Sequence, residues 1–325
     1  MRIGQGNHTY EWIDNWSRIP DNESGRTNGR THGVVVTEAG NIIVFHQANP
    51  AVLVFGPDAN LLHAWGDRFG GAHGLTLANE DGTEYLWLTD QYSGEVVKTS
   101  LDGKTVLNLD RASHPTYKRS KYAPTWVAVN EERFGGNGDV WVTDGYGSHY
   151  IHRYNKTGEY LDSINGSEGE AGTFECPHGI WIDYRKTEPE LYVADRGNRR
   201  FQVYDLHGKF KRVFGTDIFT SPCGCATHGG RLFVPELNAR LAVLDEDDRL
   251  ICYLGENEAV CSLPEWPNLR SELIQPGKFN SPHAMAADSK GNLYVVEWIV
   301  GGRITKLEKC GDHIVDKPRF SPWNA

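Results

Sequence analysis

The sequence predicts an all-β chain, a six-bladed β-propeller with four-stranded blades in which an N-terminal strand closes the last blade. A four-strand unit recurs along the chain, turn signals are too frequent for long helices, and every apolar run is strand-sized. Glycine supplies 36 of the 325 residues, above the usual level of about 7%. Glycine this frequent, beside ten tryptophans and many short β-branched runs, reads as strands joined by tight turns. The longest apolar stretches, such as Ile42–Phe45 and Val52–Phe55, fall far short of the roughly 18 residues a membrane helix needs. With a net charge of −10, neither nucleic acid nor an anionic membrane is expected as partner, because both recruit basic faces. The first residues run directly into polar sequence, so no secretory signal is expected. The six cysteines then read as reduced thiols in a cytoplasmic protein, expected to be a monomer and a single domain over 1–325.

The clearest unit begins at Pro177-His178-Gly179-Ile180, continues through Leu191–Asp195 and Phe201–Asp205, and ends at Phe210–Gly215. Four strands joined by tight turns make one blade. Sliding the chain on itself finds the same opening pair of strands five more times. Thr31-His32-Gly33-Val34 leads to Ile42–His46, Ala72-His73-Gly74-Leu75 to Leu86–Asp90, and Pro124-Thr125-Trp126-Val127 to Val140–Asp144. Pro222-Cys223-Gly224-Cys225 leads to Leu232–Glu236, and Pro282-His283-Ala284-Met285 to Leu293–Glu297. The orphan strand Thr9–Ile13 has no blade of its own and is expected to complete the sixth, removing an exposed edge.

In such a blade the start of the first strand and the end of the second share one rim. His32, His73, Trp126, His178, Gly224 and His283 therefore belong to one face, with Gln47, Asp90, Asp144, Tyr146, Asp195, Arg196, Glu236 and Glu297. His73, His178 and His283 are spaced by 105 residues in both steps. They open blades two, four and six, about 120° apart on a six-bladed ring. Three convergent imidazoles with one position left for water or substrate are the layout of a catalytic zinc site. A lone inner-strand histidine more often only binds water; three in alternate blades favour the metal. His32, in blade one, is read as a substrate contact or a support for the ligands.

These residues resemble the peptidyl-α-hydroxyglycine α-amidating lyases and their relatives with NHL-type repeats. The resemblance runs through all six blades and rests on Ala72-His73-Gly74-Leu75, Pro124–Val129, Val142-Thr143-Asp144-Gly145-Tyr146, Phe174-Glu175-Cys176-Pro177-His178, Val193–Asn198 and Ser281-Pro282-His283. It implies zinc on His73, His178 and His283, acid–base work by Tyr146 and substrate holding by Arg196. The implied reaction cleaves the C–N bond of a carbinolamide to an amide and glyoxylate. Tyr146 could equally stack on the rim, and Arg196 could be a structural bridge between blades. The chain departs from the family twice. Gln47 stands where the family carries an arginine, and a neutral amide cannot match a charge-assisted bond to a carboxylate. Ala284 replaces an Asp associated with a structural calcium. The expectation is a lyase-like zinc centre turned to another small hydroxylated substrate, with Gln47, His32, Trp126, Glu297 and Arg68 as substrate contacts. The disulfides of secreted relatives map to Tyr122, Gly147, Tyr192 and Val203, none of them cysteine.

Two alternatives stay open: a metal-dependent hydrolase such as a lactonase, using carboxylates among Asp90, Asp144, Asp195, Glu236 and Glu297, and a non-catalytic NHL scaffold. Cys223 and Cys225 read as buried thiols rather than a soft-metal pair. Residues 111–122, with Lys118, Arg119 and Lys121, and residues 256–278 exceed a blade's needs and are candidate lids or solvated loops. Lys118, Arg119 or Arg68 would then replace the charge missing at Gln47. No Gly-x-Ser-x-Gly nucleophile elbow is present.

Overall fold

The computed structural model describes residues 1–311; the last fourteen residues of the 1–325 domain expectation lie outside it. The fold is the six-bladed β-propeller read from the repeat, six antiparallel sheets of which five have four strands. The described chain forms two compact units of three blades each. No helix among the described residues is long and apolar enough to cross a membrane.

The unit from Arg68 to Pro222 holds blades two, three and four. Blade two comprises Ala72–Glu80, Thr83–Asp90, Glu95–Ser100 and Thr105–Asn108. Blade three is Trp126–Val129, Val140–Thr143, Ile151–Tyr154 and Tyr160–Ile164, and blade four Pro177–Asp183, Glu190–Asp195, Arg200–Tyr204 and Phe210–Phe214. Blades two and three pack through Trp87, Val96, Val127, Val142 and Tyr154, all buried. Large apolar side chains are drawn from alternating strand positions, as period-two burial requires.

The other unit holds blades one, five and six. Blade one is Thr31–Val36, Ile42–His46, Val52–Phe55 and Leu61–Trp65, entered from a short helix, Glu23–Asn28, capped by the Asn22 side chain. Blade six runs Pro282–Ala287, Leu293–Glu297 and Arg303–Lys309, and its fourth strand is the N-terminal His8–Ser17, with Tyr10 opposite Lys309 and Trp12 opposite Leu307. A further edge strand, Arg2–Gln5, pairs with His8–Ser17 and was not evident from the repeat.

Blade five departs from its expected start. Its inner strand is only Ala226–His228, whereas the repeat placed Pro222–Cys225 there. Pro235 in the neighbouring strand explains the difference: Cys223 N–H donates to the Pro235 carbonyl at 2.9 Å, but proline has no N–H to return. All six cysteines are free thiols, Cys223 and Cys252 buried.

The two long loops are ordered by their own contacts. Residues 256–278 contain short 3-10 turns at Glu258–Ser262 and Ser271–Leu273. They bury Val260 and Leu269 with Trp266 alongside. In residues 111–122, Pro115–Lys118 forms a 3-10 turn, while Lys118, Arg119 and Lys121 stay exposed.

Candidate active site

A shared backbone irregularity aims the four rim histidines. The inner strand carries one extra residue between Ala72 and Leu75 in blade two and between Pro177 and Ile180 in blade four. The same occurs between Pro282 and Ala284 in blade six and between Thr31 and Gly33 in blade one. His73, His178, His283 and His32 occupy these β-bulges, while the register of blade three, which opens with Trp126, is regular. A bulge re-aims a side chain that strict alternation would commit to one face. Period-two reading of the sequence does not reveal it.

In the unit of blades two to four, His73 and His178 are fully buried and their rings lie 4.7 Å apart at 71°. His73 Nδ1 is 2.7 Å from the Thr125 carbonyl. A carbonyl oxygen only accepts, so Nδ1 carries the proton and the Nε2 lone pair faces inward. The Tyr146 hydroxyl lies 3.3 Å from His73 Nε2 and 3.0 Å from His178 Nε2. Arg196 Nη2 donates to the same hydroxyl at 3.1 Å, with its guanidinium 5.2 Å from the Tyr146 ring centre. Trp126 walls the pair, 6.4 Å from His73 and 6.3 Å from His178 between ring centres. Thus five expected site residues meet within one unit.

Arg196 Nη2 also reaches Cys176 Sγ at 3.3 Å. Burial pushes the Cys176 thiol up, and the neighbouring guanidinium opposes that. The sequence left Arg196 between a substrate role and a blade-to-blade bridge; its contact with Tyr146 ties blade four to blade three and also places a cation at the tyrosine oxygen.

Hydroxyls missed by sequence reasoning hold the bulged strands. Thr89 Oγ1 accepts from Gly74 N–H at 2.8 Å and donates to the Thr125 carbonyl at 3.1 Å. Thr143 Oγ1 pairs with Thr125 Oγ1 at 2.8 Å and donates to the His178 carbonyl at 3.2 Å. The repeated Thr-Asp at the end of the second strand in blades two and three was the available signal.

The acidic residue at the end of the second strand in blades two to six proves to be a tie for its own blade. Asp90 accepts from the N–H groups of Gly71, Tyr92 and Ser93. Asp144 accepts from Ala123 and Ser148 N–H, the Ser148 hydroxyl and the Tyr117 hydroxyl. Asp195 accepts from Glu175 N–H, Asn198, Arg200 and Gln202. Glu236 pairs with Arg240 at 2.6 Å. Glu297, expected to touch substrate, is fully buried and accepts from Asn280 N–H, Ser281 N–H and Arg303. These partners already engage carboxylate oxygens that a metal would otherwise use.

The unit of blades one, five and six supplies the remaining expected residues. His283 Nδ1 is 2.8 Å from the His32 carbonyl, and the two rings lie 4.6 Å apart. Here again the carbonyl fixes the proton on Nδ1. His32 Nδ1 is in turn 3.2 Å from the Arg30 carbonyl. Gln47 is buried; its N–H donates to the Arg30 carbonyl and its own carbonyl accepts from Asn28 Nδ2. Ala284 is buried at 2% exposure and offers no oxygen side chain to a cation. Arg68, in the other unit, is committed to Glu95 at 3.0 Å and to the face of Phe69.

No family model matches the chain. It is 26% identical to peptidyl-alpha-hydroxyglycine alpha-amidating lyase 1 of Drosophila melanogaster over 90% of this chain, and it spans 58% of that protein's length. It is 28% identical to NHL repeat-containing protein 3 of Homo sapiens over 83% of this chain and 77% of that one. With the probable peptidyl-alpha-hydroxyglycine alpha-amidating lyase of Caenorhabditis elegans it shares 26% identity, covering 82% and 79% of the two chains. Among solved structures, a streptogramin B lyase superposes with a TM-score of 0.61 at 12% identity, covering 94% of this chain and 99% of that one. Virginiamycin B lyase from Staphylococcus aureus gives 0.56 at 11% identity, covering 92% and 99%; at these identities the likeness is one of fold. Over most of its length the chain is similar in sequence to peptidyl-α-hydroxyglycine α-amidating lyases and NHL repeat proteins, and it has their repeat in the form of a six-bladed β-propeller.

Proposed function

We propose that this protein is a zinc-dependent lyase acting on a small hydroxylated (carbinol) substrate, with His73, His178 and His283 as metal ligands. The observation that carries the proposal is the placement of the Tyr146 hydroxyl beside Nε2 of both His73 and His178, with Arg196 donating to it from behind. His73 and His283 also pass a chemical test for ligation. Each gives its Nδ1 proton to a backbone carbonyl, the support that metal-bound histidines almost always have. That leaves Nε2 of both rings as the donor atom. Three neutral imidazoles suit zinc and leave a fourth position open.

Bound zinc supplies Lewis-acid polarisation of a substrate oxygen and stabilises the charge that develops there. Tyr146 is within reach of a substrate hydroxyl held beside the histidines; as its phenolate, the charge of which Arg196 would balance, it takes that proton as general base. The oxygen's electron pair then forms the carbonyl as the bond from the same carbon to the leaving group breaks. The leaving nitrogen, in the carbinolamide case, takes a proton back from Tyr146. Arg196 holds the tyrosine oxygen in place through the cycle and keeps a positive charge beside it. Trp126 closes one side of the pocket to water.

The hydrolase reading loses its carboxylate ligands to the blade ties described above. The scaffold reading remains the one to beat, since one similar protein carries only an NHL-repeat name. Metal analysis of untagged protein separates the two. The expected result is about one zinc per chain, lost in a folded His178→Ala variant and retained in Tyr146→Phe. Glyoxylate release from α-hydroxyglycine amides then tests the substrate class, with Tyr146→Phe slowed by about 100-fold or more. Absence of zinc after supplementation removes the lyase reading in favour of the scaffold. The cytoplasmic and monomeric assignments go with this proposal and are checked by fractionation and light scattering.

A further inference from the structure

The opening of blade five matches the histidine-bearing openings at one position. Pro222-Cys223-Gly224 aligns with Pro177-His178-Gly179, with Thr31-His32-Gly33 and with Ala72-His73-Gly74. Cys223 therefore takes the repeat position that histidine holds in blades one, two, four and six. Cysteine is the other side chain that zinc commonly recruits. The backbone agrees with this alignment. Cys223 N–H donates to the Pro235 carbonyl, and Ala226 lies opposite Phe233. From Cys223 to Ala226 the inner strand advances three residues, while its partner advances two, from Pro235 to Phe233. That is the same one-residue excess that aims His178 and His283.

Cys223 is fully buried. Its Sγ lies within 4.8 Å of a ring nitrogen of His283, in the same unit of the chain. Nδ1 of His283 is committed to the His32 carbonyl at 2.8 Å, so Nε2 is the nitrogen it presents to a cation. A nitrogen about 2.0–2.1 Å and a sulfur about 2.3 Å from one tetrahedral zinc stand about 3.5 Å apart. Small rotations of the two side chains cover the difference. A buried cysteine is ordinarily an inert, small apolar side chain, which suffices for Cys252. Cys223 differs in having the His283 ring beside it at a repeat position that elsewhere carries histidine. Cys225 aligns instead with Ile180 and Leu75.

We propose that Cys223 is a thiolate ligand of the metal held by His283. The ion is taken from the zinc reading above; the sulfur does not follow from that reading. The thiol proton leaves to solvent as the metal–sulfur bond forms. A thiolate brings one negative charge to a dication otherwise held by neutral imidazoles, and it favours zinc over magnesium or calcium. The lyase reading then requires Cys223 to yield its position when substrate arrives. X-ray absorption at the zinc edge tests the assignment on zinc-loaded, untagged wild type, Cys223→Ser and Cys225→Ser, with zinc content measured on the same samples. A sulfur at about 2.3 Å is expected in wild type and Cys225→Ser, and only nitrogen or oxygen at about 2.0–2.1 Å in Cys223→Ser. Cobalt-loaded protein gives a second readout, a thiolate-to-cobalt charge-transfer absorption in the near ultraviolet that is lost in the same variant. Zinc-loaded wild type without a sulfur neighbour overturns the assignment and leaves the zinc reading standing. Sulfur that persists in folded Cys223→Ser does the same. Wild type that binds no zinc after supplementation overturns both. Should Cys223→Ser fail to fold, Cys225→Ser carries the test: retention of the sulfur there supports Cys223, and its loss overturns the assignment.

Discussion

Removing one hydroxyl, in Tyr117→Phe, tests whether the loop before blade three holds Tyr146 in place. Tyr117 reaches in from the 3-10 turn Pro115–Lys118. Its hydroxyl donates to Asp144 at 2.8 Å and meets His152 Nε2 at 2.5 Å. Asp144 is the carboxylate that closes the turn through Ala123 and Ser148, with Tyr146 between its two ends. His152 is fully buried, and its Nδ1 pairs with Ser163 Oγ at 2.7 Å. The substitution removes a charge-assisted bond, worth about 1.5–3 kcal/mol, and strands a buried imidazole nitrogen at a cost of about 1–3 kcal/mol. Asp144 keeps its other donors, so the net loss is placed at about 2–3 kcal/mol. Chemical denaturation reads this as a lowered midpoint with an unchanged slope, and melting falls by several degrees. A shift of less than about 0.5 kcal/mol, the size of an ordinary surface substitution, refutes the claim that this network clamps the loop.

Two more consequences follow from the same structure. Burial depresses His152 to about 3 and His46 to about 4, so the unfolded chain binds these protons first as pH falls. Their stabilising contribution is complete above about pH 6.5 and declines as pH drops toward 4, by up to about 1.4 kcal/mol per pH unit for each histidine. Denaturation midpoints measured between pH 7 and 5 should fall accordingly and flatten in His152→Gln; a flat wild-type profile contradicts the burial argument. A Cβ at Gly74 would lie 2.4 Å from the Thr125 carbonyl oxygen and 2.8 Å from Trp126 Cα. Gly74→Ala should therefore cost about 1–3 kcal/mol by overpacking and, at the zinc site proposed above, lower metal content by displacing His73; unchanged stability would show that blades two and three yield freely.

The repeat, five of the six openings and the closing strand were legible because each is written in local pattern. Strand periodicity, a Gly-containing turn and an acidic residue at a fixed offset recur whatever the rest of the chain does. The candidate histidines were legible for the same reason, as one residue type at one repeat position. What the acidic repeat residues do was not legible. Asp90, Asp144, Asp195 and Glu297 look alike as ligand candidates in sequence, and only their hydrogen-bond partners show that they close blades.

The sequence by itself determined the blade count and the all-β class, because burial on a pleated sheet imposes a period that the chain must carry. The tertiary structure alone decided where the side chains point. One extra residue in four inner strands turns the histidines from the pleat, Pro235 shortens the inner strand of blade five, and Arg196 is delivered to Tyr146 from another blade. A bulge, a missing donor and a contact across blades each depend on which partner a backbone or side chain meets. That choice belongs to packing between segments distant in sequence, which no local pattern encodes.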